Sequence, residues 1–479
     1  MDKASLIAQS YQFSPTAEQL TFCREMASFL MQPLDKQCFI LRGYAGTGKT
    51  TSVGALVKAL PKFGYRSVLM APTGRAAKVM SNYTGRIALT VHKRIYRKKS
   101  AVATEMAFQL APNLAEYTLF IVDEASMIAD EWNLKTGSSF LKDLMEYVYN
   151  GKNCAVAFVG DTAQLPPVGS IDSPALNEKY IAQQFGLQTT AVELKEVVRQ
   201  EKKSGILANA TMLRKIINTD LEEEEKIALP KFLTKTYKDI FRMTGLKFVE
   251  GLEYAYHMFG IENSLVVCRS NKSANIYNQQ IRSRLLYRDE ELTGGDQIMV
   301  VKNNYFWLPE NESAAFIANG DMARITRVRG VEERYGLRFC EVNLELIDFP
   351  EAGNITCKVM LDTLTAETPS LSYELSNKMF EELNLDYDHL TNKRERFQAI
   401  KEDPYYNALQ IKFAYAVTCH KAQGGQWDAV FVDQGYLTDE MIDMDFMRWL
   451  YTGVTRAKKE LFLVNFSSNL FSSMVEEEF

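Results

Sequence analysis

The segment that decides the fold is Gly43-Tyr44-Ala45-Gly46-Thr47-Gly48-Lys49-Thr50, which fits the pattern G-x-x-x-x-G-K-[ST]. It follows a short apolar run at residues 38–41 (CFIL) and precedes good helix formers at residues 51–60. In that context the glycines let backbone N–H groups surround a phosphate, and the helix N-terminus adds positive potential. We therefore predict a nucleotide phosphate site, in which Lys49 contacts the β- and γ-phosphates and Thr50 binds Mg²⁺.

Further apolar runs of four or five residues, bounded by Gly, Pro or Asp, have the length and composition of buried parallel strands. In the N-terminal half they are residues 68–71 (VLMA), 119–122 (LFIV) and 155–159 (AVAFV). Helical patterns separate them, and Ser14 followed by Pro15 predicts one helix start. This alternation predicts a doubly wound α/β sheet with ligands at the carboxyl ends of its strands. A second set predicts a second sheet: residues 265–268, 413–418, 429–432 and 461–464.

The pattern changes between about residues 296 and 402. Four segments alternate in polarity, as half-buried antiparallel strands do: residues 298–301, 323–328, 339–346 and 355–361. Asn319-Gly320-Asp321 predicts a tight turn between two of them. Residues 372–401 are charged and helical in period. We predict a small β-barrel with a helical extension, inserted into the second sheet domain.

Polar residues directly after the predicted strands supply candidates for phosphate chemistry. Asp123 follows the run at 119–122 and can hold the Mg²⁺ shell, and Glu124 can orient and deprotonate an attacking water. Gln164, after the run at 155–159, can hydrogen-bond the water and the γ-phosphate. Arg199 and Arg456 are candidates for neutralising the γ-phosphate in the transition state, because arginine is always charged and bidentate. An arginine in a surface ion pair is the alternative for each of them.

Composition limits the classes of protein that remain. The chain has 479 residues, of which 46% are hydrophobic and 24% charged, which is typical of globular domains and excludes a disordered or collagen-like chain. The net charge of −5 means that any nucleic-acid site must be a local basic surface. Seven cysteines without a C-x-x-C pair indicate reduced, buried thiols, and the four scattered histidines give no zinc cluster. With no signal pattern and no apolar run of about 18 residues, we expect a cytoplasmic protein that does not bind membranes.

Two strand-to-helix turns and one basic segment are candidates for contacts with a phosphate backbone. Pro72, Thr73 and Ala76 lie at a turn where backbone N–H groups can hold a phosphate, and Thr418, His420 and Lys421 repeat the arrangement on the second predicted sheet. Residues 84–100 contain six basic residues and no acidic one. A solvated basic turn remains the alternative for that segment.

Taken in order, the motifs resemble those of superfamily 1B DNA helicases of the Dda-type and RecD-like branch. The segments that carry the resemblance, besides the phosphate loop, are Pro15-Thr16-Ala17-Glu18-Gln19, Ala71-Pro72-Thr73-Gly74-Arg75-Ala76-Ala77, Asp123-Glu124-Ala125-Ser126-Met127, Gly160-Asp161-Thr162-Ala163-Gln164-Leu165-Pro166-Pro167-Val168, Val198-Arg199-Gln200, Thr418-Cys419-His420-Lys421-Ala422-Gln423-Gly424 and residues 451–457. They span most of the chain and keep the order of the family.

The resemblance implies two tandem RecA-like domains with ATP in the cleft between them and Mg²⁺ as its partner. Arg199 and Arg456 would reach across the cleft as arginine fingers, and Gln19 would read the adenine. Some relatives place a stacking tyrosine where this chain has Val198, so Tyr44 is a candidate for that role. The residues expected to bind ATP are Gln19, Gly43, Ala45, Gly46, Thr47, Gly48, Lys49, Thr50, Thr51 and Gly425.

The resemblance also implies a domain plan. Residues 1–200 would form the first RecA-like domain, with a small pin hairpin at about 86–117. Residues 201–295 and 406–479 would form the second, and residues 296–405 an inserted SH3-like β-barrel with a tower-like helical extension. Thr90-Val91-His92 resembles a strand-contact motif, which adds His92 and Lys93 to the expected DNA contacts. Phe108 resembles the aromatic residue at the tip of the pin, and a buried core phenylalanine is the alternative.

These observations predict an ATP-dependent DNA helicase that translocates on single-stranded DNA, 5′ to 3′ by resemblance, and opens duplex at single-strand/double-strand junctions. An RNA helicase, a branch-migration motor and an ATP-gated single-strand translocase or clamp remain the alternatives. We expect a monomer, because one chain carries both halves of the cleft. Roles in DNA replication, repair or recombination are expected, with a single-strand-binding protein or replication proteins as partners.

Overall fold

The computed structural model describes residues 2–98, 108–133, 137–197, 204–219, 227–308 and 316–472. Its strands are β1 (Gln37–Gly43), β2 (Arg66–Ala71), β3 (Ala88–Thr90), β4 (Tyr96–Lys98), β5 (Phe108–Leu110), β6 (Thr118–Val122), β7 (Trp132–Asn133), β8 (Ser138–Ser139), β9 (Ala155–Gly160), β10 (Gln188–Leu194), β11 (Ile240–Met243), β12 (Ser264–Cys268), β13 (Gln297–Val300), β14 (Met322–Arg334), β15 (Leu337–Leu346), β16 (Asn354–Met360), β17 (Leu409–Phe413), β18 (Ala416–Thr418), β19 (Trp427–Asp433) and β20 (Ala457–Val464).

Its α-helices are α1 (Lys3–Ala8), α2 (Ala17–Phe29), α3 (Lys49–Ala59), α4 (Gly74–Thr84), α5 (Val91–Ile95), α6 (Phe140–Tyr149), α7 (Glu178–Phe185), α8 (Gly205–Ile217), α9 (Phe248–Phe259), α10 (Asn271–Gln280), α11 (Asp362–Thr365), α12 (Tyr373–Asp386), α13 (Lys393–Lys401), α14 (Cys419–Ala422) and α15 (Met444–Val454). A π-helical turn at Ile281–Leu285 continues α10.

The first domain is built on a six-stranded parallel sheet in the order β10-β1-β9-β6-β2-β3. Strands β6 and β9 are buried along their whole length because apolar clusters from α2, α3 and α4 cover one face and clusters from α6 cover the other. Since β1, β9 and β6 are neighbours in a parallel sheet, the loops after their carboxyl ends lie side by side. The sheet therefore brings three sequence-distant loops to one edge.

The second domain has a five-stranded parallel sheet in the order β11-β20-β19-β12-β18. Strands β13, β14, β15, β16 and β17 pair in chain order and form a closed barrel. The barrel packs on one face of this sheet in a shared apolar core. Strands β14 and β15 extend beyond the barrel as a hairpin, whose turn at Tyr335 and Gly336 has positive φ angles. Met379 and Leu383 of α12 pack against the hairpin tip, so this contact attaches the helical extension to the barrel hairpin.

The structure confirms the α/β class with two parallel sheets and a closed barrel, but it corrects several local predictions. The run at 413–418 is not one strand: β17 closes the barrel, and β18 is an edge strand of the second sheet. The barrel therefore extends past residue 405. Residues 408–417 are all buried, so the apolar pattern gave no sign of this division. The short or partly polar strands β3, β10 and β11 were not predicted.

Helix α2 begins at Ala17 and not at Ser14, because Thr16 and Gln19 form a reciprocal capping box. The expected pin interval, 86–117, also contains β3 of the main sheet and α5. Within it, β4 and β5 pair as an antiparallel ribbon with Lys98 opposite Phe108. Residues 99–107 and the Phe108 side chain lie outside the described part of the chain, so the pin stays a prediction.

All seven cysteines are buried and free of disulfide bonds. In the described ranges, no helix is long and apolar enough to cross a membrane, and no group of three or more His, Cys, Asp or Glu side chains is arranged to hold a metal ion.

Candidate functional site

The loop between β1 and α3 has the backbone conformation that its glycines predict. Gly46 and Gly48 have φ angles of 81° and 85°, a region that side chains disfavour. A Cβ atom at Gly43 would lie 2.8 Å from the Thr47 hydroxyl. The Lys49 ammonium folds back over the loop and donates to the carbonyls of Gly43 at 2.6 Å and Tyr44 at 3.0 Å. The loop therefore presents a cation and the first turn of a helix at the sheet edge, as a phosphate site requires.

Two acids follow β6 beside this loop. Asp123 accepts hydrogen bonds from the Tyr83 hydroxyl at 2.8 Å and from the Glu124 N–H at 2.9 Å, which fixes the carboxylate. Glu124 has a φ angle of +51°. Burial raises the pKa of Glu124, the positive charges of Arg456 and Lys49 oppose the rise, and Asp123 adds to it. A carboxylate with a raised pKa is suited to take a proton from water.

Gln164, in the loop after β9, is 4% exposed. Its Oε1 atom has no hydrogen-bond partner among the described residues. A buried acceptor without a partner is costly, so the site favours a donor such as a water molecule at this position.

Arg456, just beyond α15 in the second domain, is 2% exposed. Its guanidinium donates to the carbonyls of Thr452 at 3.0 Å and Gly425 at 3.1 Å and to the Thr455 hydroxyl at 3.1 Å. Its charge nevertheless acts on Glu124 of the first domain. The structure thus brings Lys49, Glu124 and Arg456 together across the cleft, and it accounts for Gly425 as a carbonyl that holds the arginine.

Further hydrogen bonds join the two domains at the same cleft. Tyr451 donates to Asp161 at 2.7 Å and accepts from the N–H of Ala45 at 3.0 Å. The Thr452 hydroxyl accepts from the N–H of Leu165 at 2.9 Å, and the Gln423 amide donates to the Leu165 carbonyl at 2.8 Å. The phosphate loop and the Gln164 loop are therefore both attached to the second domain.

Tyr44 is not available as an adenine-stacking partner in this structure. The Arg214 guanidinium lies over its ring, 4.5 Å from the centroid. The Tyr44 hydroxyl donates to Glu193 at 3.0 Å and accepts from Asn218 at 2.7 Å. Gln19 is buried, and its side-chain carbonyl accepts from the Thr16 N–H in the capping box. Arg199 and Val198 lie outside the described residues, so the roles suggested for that segment stay predictions.

The two turns expected to grip a nucleic-acid strand meet at the domain boundary. The Thr73 hydroxyl caps α4 by accepting from the Ala76 N–H at 3.2 Å. A Cβ atom at Gly424, next to the second turn, would lie 2.9 Å from both the Thr73 hydroxyl and the Ala76 Cβ. The Thr418 side chain does not cap α14, and His420 is exposed there.

The basic segment is less open than its composition indicates. The His92 ring stacks on Phe140 at 4.3 Å, and burial lowers the pKa of His92 to about 4, so the ring is neutral at pH 7. Burial lowers the pKa of Lys93 to about 8 against the opposing charges of Asp321 and Glu351 in the barrel. Burial and the neighbouring Lys412 lower the pKa of Lys421 to about 8. Lys412, a neighbour that the sequence did not single out, is buried and donates to the carbonyls of Thr363 and Ala366.

The barrel contacts the start of α4 through charged groups. A Cβ atom at Gly74 would lie 2.1 Å from Asp321 Oδ1, which shows how closely this carboxylate approaches the helix. Lys78 donates to the Ile347 carbonyl at 2.8 Å, and its ammonium lies 4.0 Å from Asp348. Arg75 covers the Trp427 ring at 4.0 Å. The sequence could not predict these contacts, because the partners lie more than 240 positions apart in the chain.

The chain is similar to several known proteins. A family model described as an AAA domain matches residues 16–224, and one described as a UvrD-like helicase C-terminal domain matches residues 413–464. The chain is 24% identical to the ATP-dependent DNA helicase dda of Enterobacteria phage T4, over 88% of this chain and 93% of that protein. It is 34% identical to the ATP-dependent RecD2 DNA helicase of Deinococcus radiodurans, over 39% of this chain and 23% of that protein. The solved Pif1 helicase from Bacteroides, in complex with ADP-AlF3 and ssDNA, covers 95% of this chain and 94% of its own at 14% identity, with a TM-score of 0.49.

Two parallel sheets that share one phosphate-loop cleft define the class, a P-loop NTPase with two RecA-like domains. The order of the motifs, the two family models and the relatives narrow this class further. These similarities confirm the resemblance to superfamily 1B helicases of the Dda- and RecD-like group that the sequence motifs carry.

Proposed function

We propose that this helicase hydrolyses ATP to move along single-stranded DNA from 5′ to 3′ and separates the duplex ahead of it. The named relatives from phage T4 and Deinococcus radiodurans are both ATP-dependent DNA helicases, which supports DNA as the substrate. The 5′-to-3′ direction rests on resemblance to the superfamily 1B branch.

The observation that carries the proposal is the composite cleft. The first domain supplies Lys49, Asp123, Glu124 and Gln164, and the second supplies Arg456, whose charge acts on Glu124. A site divided in this way is complete only when the domains are closed on each other. Binding and loss of the γ-phosphate would therefore close and open the cleft.

Within the cleft, each residue has a role that its position supports. Backbone N–H groups from Gly46 to Thr51 would surround the phosphates, and Gln19 would contact the adenine. The Thr50 hydroxyl and the Asp123 carboxylate are oxygen donors of the kind that Mg²⁺ prefers, and they would hold it. Bound Mg²⁺ would neutralise charge on the β- and γ-phosphates. Glu124 would accept the proton of the attacking water, Gln164 would orient that water, and Arg456, with Arg199, would stabilise the charge that develops.

Movement along DNA needs a strand contact on each domain. Pro72, Thr73 and Ala76 on the first domain and Thr418, His420 and Lys421 on the second would provide them. Because Gly424 touches Thr73 and Ala76 in this structure, the two contacts lie close together here and would separate as the cleft opens. His92 and Lys93 would border the strand, and Phe108 would stack on the last base pair.

The decisive experiment is strand displacement with ATP and Mg²⁺, comparing a duplex that carries a 5′ single-stranded tail with the same duplex carrying a 3′ tail. We expect release of the displaced strand from the 5′-tailed substrate alone. Release from the 3′-tailed substrate alone would overturn the polarity. DNA-stimulated ATP hydrolysis without release from either would indicate a translocase or clamp, and activity on RNA tails alone would indicate an RNA helicase.

The same assay tests the expected oligomeric state. One chain carries both halves of the cleft, so we propose that a monomer is active. The rate per molecule should then be independent of protein concentration once the DNA is saturated.

A further inference from the structure

One hydroxyl group of the second domain bonds two loops of the first. Tyr451, near the end of α15, is 1% exposed. Its hydroxyl donates to Asp161 Oδ2 at 2.7 Å and accepts from the N–H of Ala45 at 3.0 Å. Burial and the Asp161 charge raise the pKa of Tyr451 well above its ordinary value, so the phenol keeps its proton at any working pH. This bridge is a permanent donor to one loop and an acceptor from the other.

The two loops carry Lys49 and Gln164, two of the residues proposed to act in hydrolysis. Ala45 belongs to the phosphate loop after β1, and Asp161 opens the loop after β9, the neighbouring strand. Asp161 Oδ1 accepts from the N–H of Ala163 at 3.0 Å, which fixes the turn immediately before Gln164. The position of the Tyr451 hydroxyl therefore bears on both the phosphate loop and the glutamine expected to orient water.

The same end of α15 holds the arginine. The Thr455 hydroxyl donates to the Tyr451 carbonyl at 2.9 Å, and the Arg456 guanidinium donates to that hydroxyl at 3.1 Å. Arg456 also donates to the Thr452 carbonyl. Because hydrogen bonds and one helix turn connect Tyr451 to Arg456, a shift of the hydroxyl is transmitted to the guanidinium.

We propose that Tyr451 is a positioning residue for ATP hydrolysis, which aligns the phosphate loop, Gln164 and Arg456 when the second domain closes on the first. It does not bond ATP itself. The inference rests on the proposed function in that it assigns hydrolysis to this cleft. Hydrolysis is fast only when the hydroxyl bridge is formed, so the bridge couples the chemical step to domain closure.

The test is Tyr451→Phe, which keeps the ring in the core and removes the hydroxyl. We expect the kcat of DNA-stimulated ATP hydrolysis to fall about tenfold while the KM for ATP stays within twofold, because alignment is lost and ground-state binding is not. A raised KM with unchanged kcat would overturn the proposal, since Tyr451 would then only shape the nucleotide pocket.

Tyr415→Phe is a matched control. Tyr415 is also 1% exposed and donates to a buried carboxylate, Asp296, at 2.8 Å. It accepts from the backbone N–H of Gln297 at 3.1 Å and from the Arg288 guanidinium at 2.6 Å. It lies where the barrel joins the second sheet, away from the cleft. Tyr415→Phe loses the two kinds of bond that Tyr451→Phe loses and the bond from Arg288 as well, so its thermal unfolding midpoint should fall at least as far, but it should keep the wild-type kcat. Equal kcat in the two variants would show that Tyr451 is merely structural.

A second variant, Asp161→Ala, removes the acceptor side of the bridge. If hydroxyl and carboxylate act as one unit, the double variant with Tyr451→Phe should be no slower than the slower single variant. Multiplying effects would overturn the proposal. Measuring hydrolysis and strand displacement by the wild type separates the helicase proposal from the Tyr451 proposal. If the wild type hydrolyses ATP without displacing a strand, helicase action is refuted, but the kcat comparison for Tyr451 can still be made.

Discussion

Among the described residues, two of the contacts between the first domain and the rest of the chain differ in chemistry. At the cleft, short directional hydrogen bonds join the phosphate loop and the Gln164 loop to the second domain: Tyr451 and Thr452 accept from backbone N–H groups, and Gln423 donates to a carbonyl. At α4, the barrel instead places two buried carboxylates, Asp321 and Asp348, against basic side chains.

The difference indicates two kinds of control. Directional hydrogen bonds fix geometry, which the chemical step at the cleft requires. Charged contacts respond to pH and to competing ions. The Asp321 carboxylate lies against Gly74, at the helix start where a DNA phosphate is expected. We therefore expect changes in the cleft to alter hydrolysis, and changes at the barrel contact to alter docking.

The largest expected effect tests whether the cleft is the site of chemistry. Lys49→Ala removes the cation over the phosphate loop and should lower ATP turnover about 10³-fold or more. Binding of a fluorescent single strand without nucleotide should stay within twofold of wild type, because Lys49 bonds to the phosphate loop and is not among the residues proposed to contact DNA. Wild-type turnover in this variant, measured by phosphate release, would refute the phosphate site.

Arg456 tests whether the second domain completes that site. Arg456→Ala should lower kcat about 10²–10³-fold, the usual cost of losing one group that stabilises transition-state charge. Arg456→Lys should recover little of it, because an ammonium cannot reproduce the planar fork. Thermal unfolding measured alongside reports the loss of the three buried hydrogen bonds. A kcat within twofold of wild type in Arg456→Ala would mean that the cleft works without the second domain.

The barrel contact should respond to pH. Burial raises the pKa of Asp321 to about 7; the Ala318 N–H and Lys93 oppose the rise, and Asp348 adds to it. An unfolded aspartate titrates near pH 4, so the folded chain binds this extra proton between about pH 4 and 7, and stability falls as pH rises through that window. Below pH 7, Lys93 is charged in both the folded and the unfolded chain, so it does not change how the free energy of unfolding varies with pH there.

Between pH 5.5 and 7.5, the free energy of unfolding of the wild type should therefore fall by about 2 kcal/mol more than that of Asp321→Asn. Denaturant titrations at the two pH values measure it. Asp388→Asn is the control, because that side chain is 72% exposed. If wild type and Asp321→Asn lose the same stability over this range, the carboxylate is not titrating at the contact.

The smallest expected effect lies outside both contacts. Phe108→Ala should slow strand separation several-fold, since stacking of one base on an aromatic ring contributes about 1–3 kcal/mol, while DNA-stimulated hydrolysis stays within twofold. Phe13→Ala, which removes a ring that is 79% exposed, should change neither rate. Loss of hydrolysis and unwinding together in Phe108→Ala would favour the core alternative.

Local sequence predicted the parts of the site that depend on one strand and its following loop. Lys49, Asp123, Glu124 and Gln164 could be placed because parallel strands deliver their carboxyl ends to one edge. Tyr44 could not be judged in this way, because its partners Arg214, Glu193 and Asn218 lie between 149 and 174 residues away in the chain. They bury the ring that would otherwise suit adenine.

The sequence by itself determined the two α/β domains with parallel sheets, the phosphate loop of the first, the inserted barrel and the family resemblance, because short apolar runs, glycine spacing and motif order are local properties. Only the tertiary structure decided which side chains face each other across the cleft and at the barrel. The Tyr451 bridge and the Asp321 contact join residues hundreds of positions apart, and no local pattern fixes such pairs, since their geometry follows from how whole domains pack.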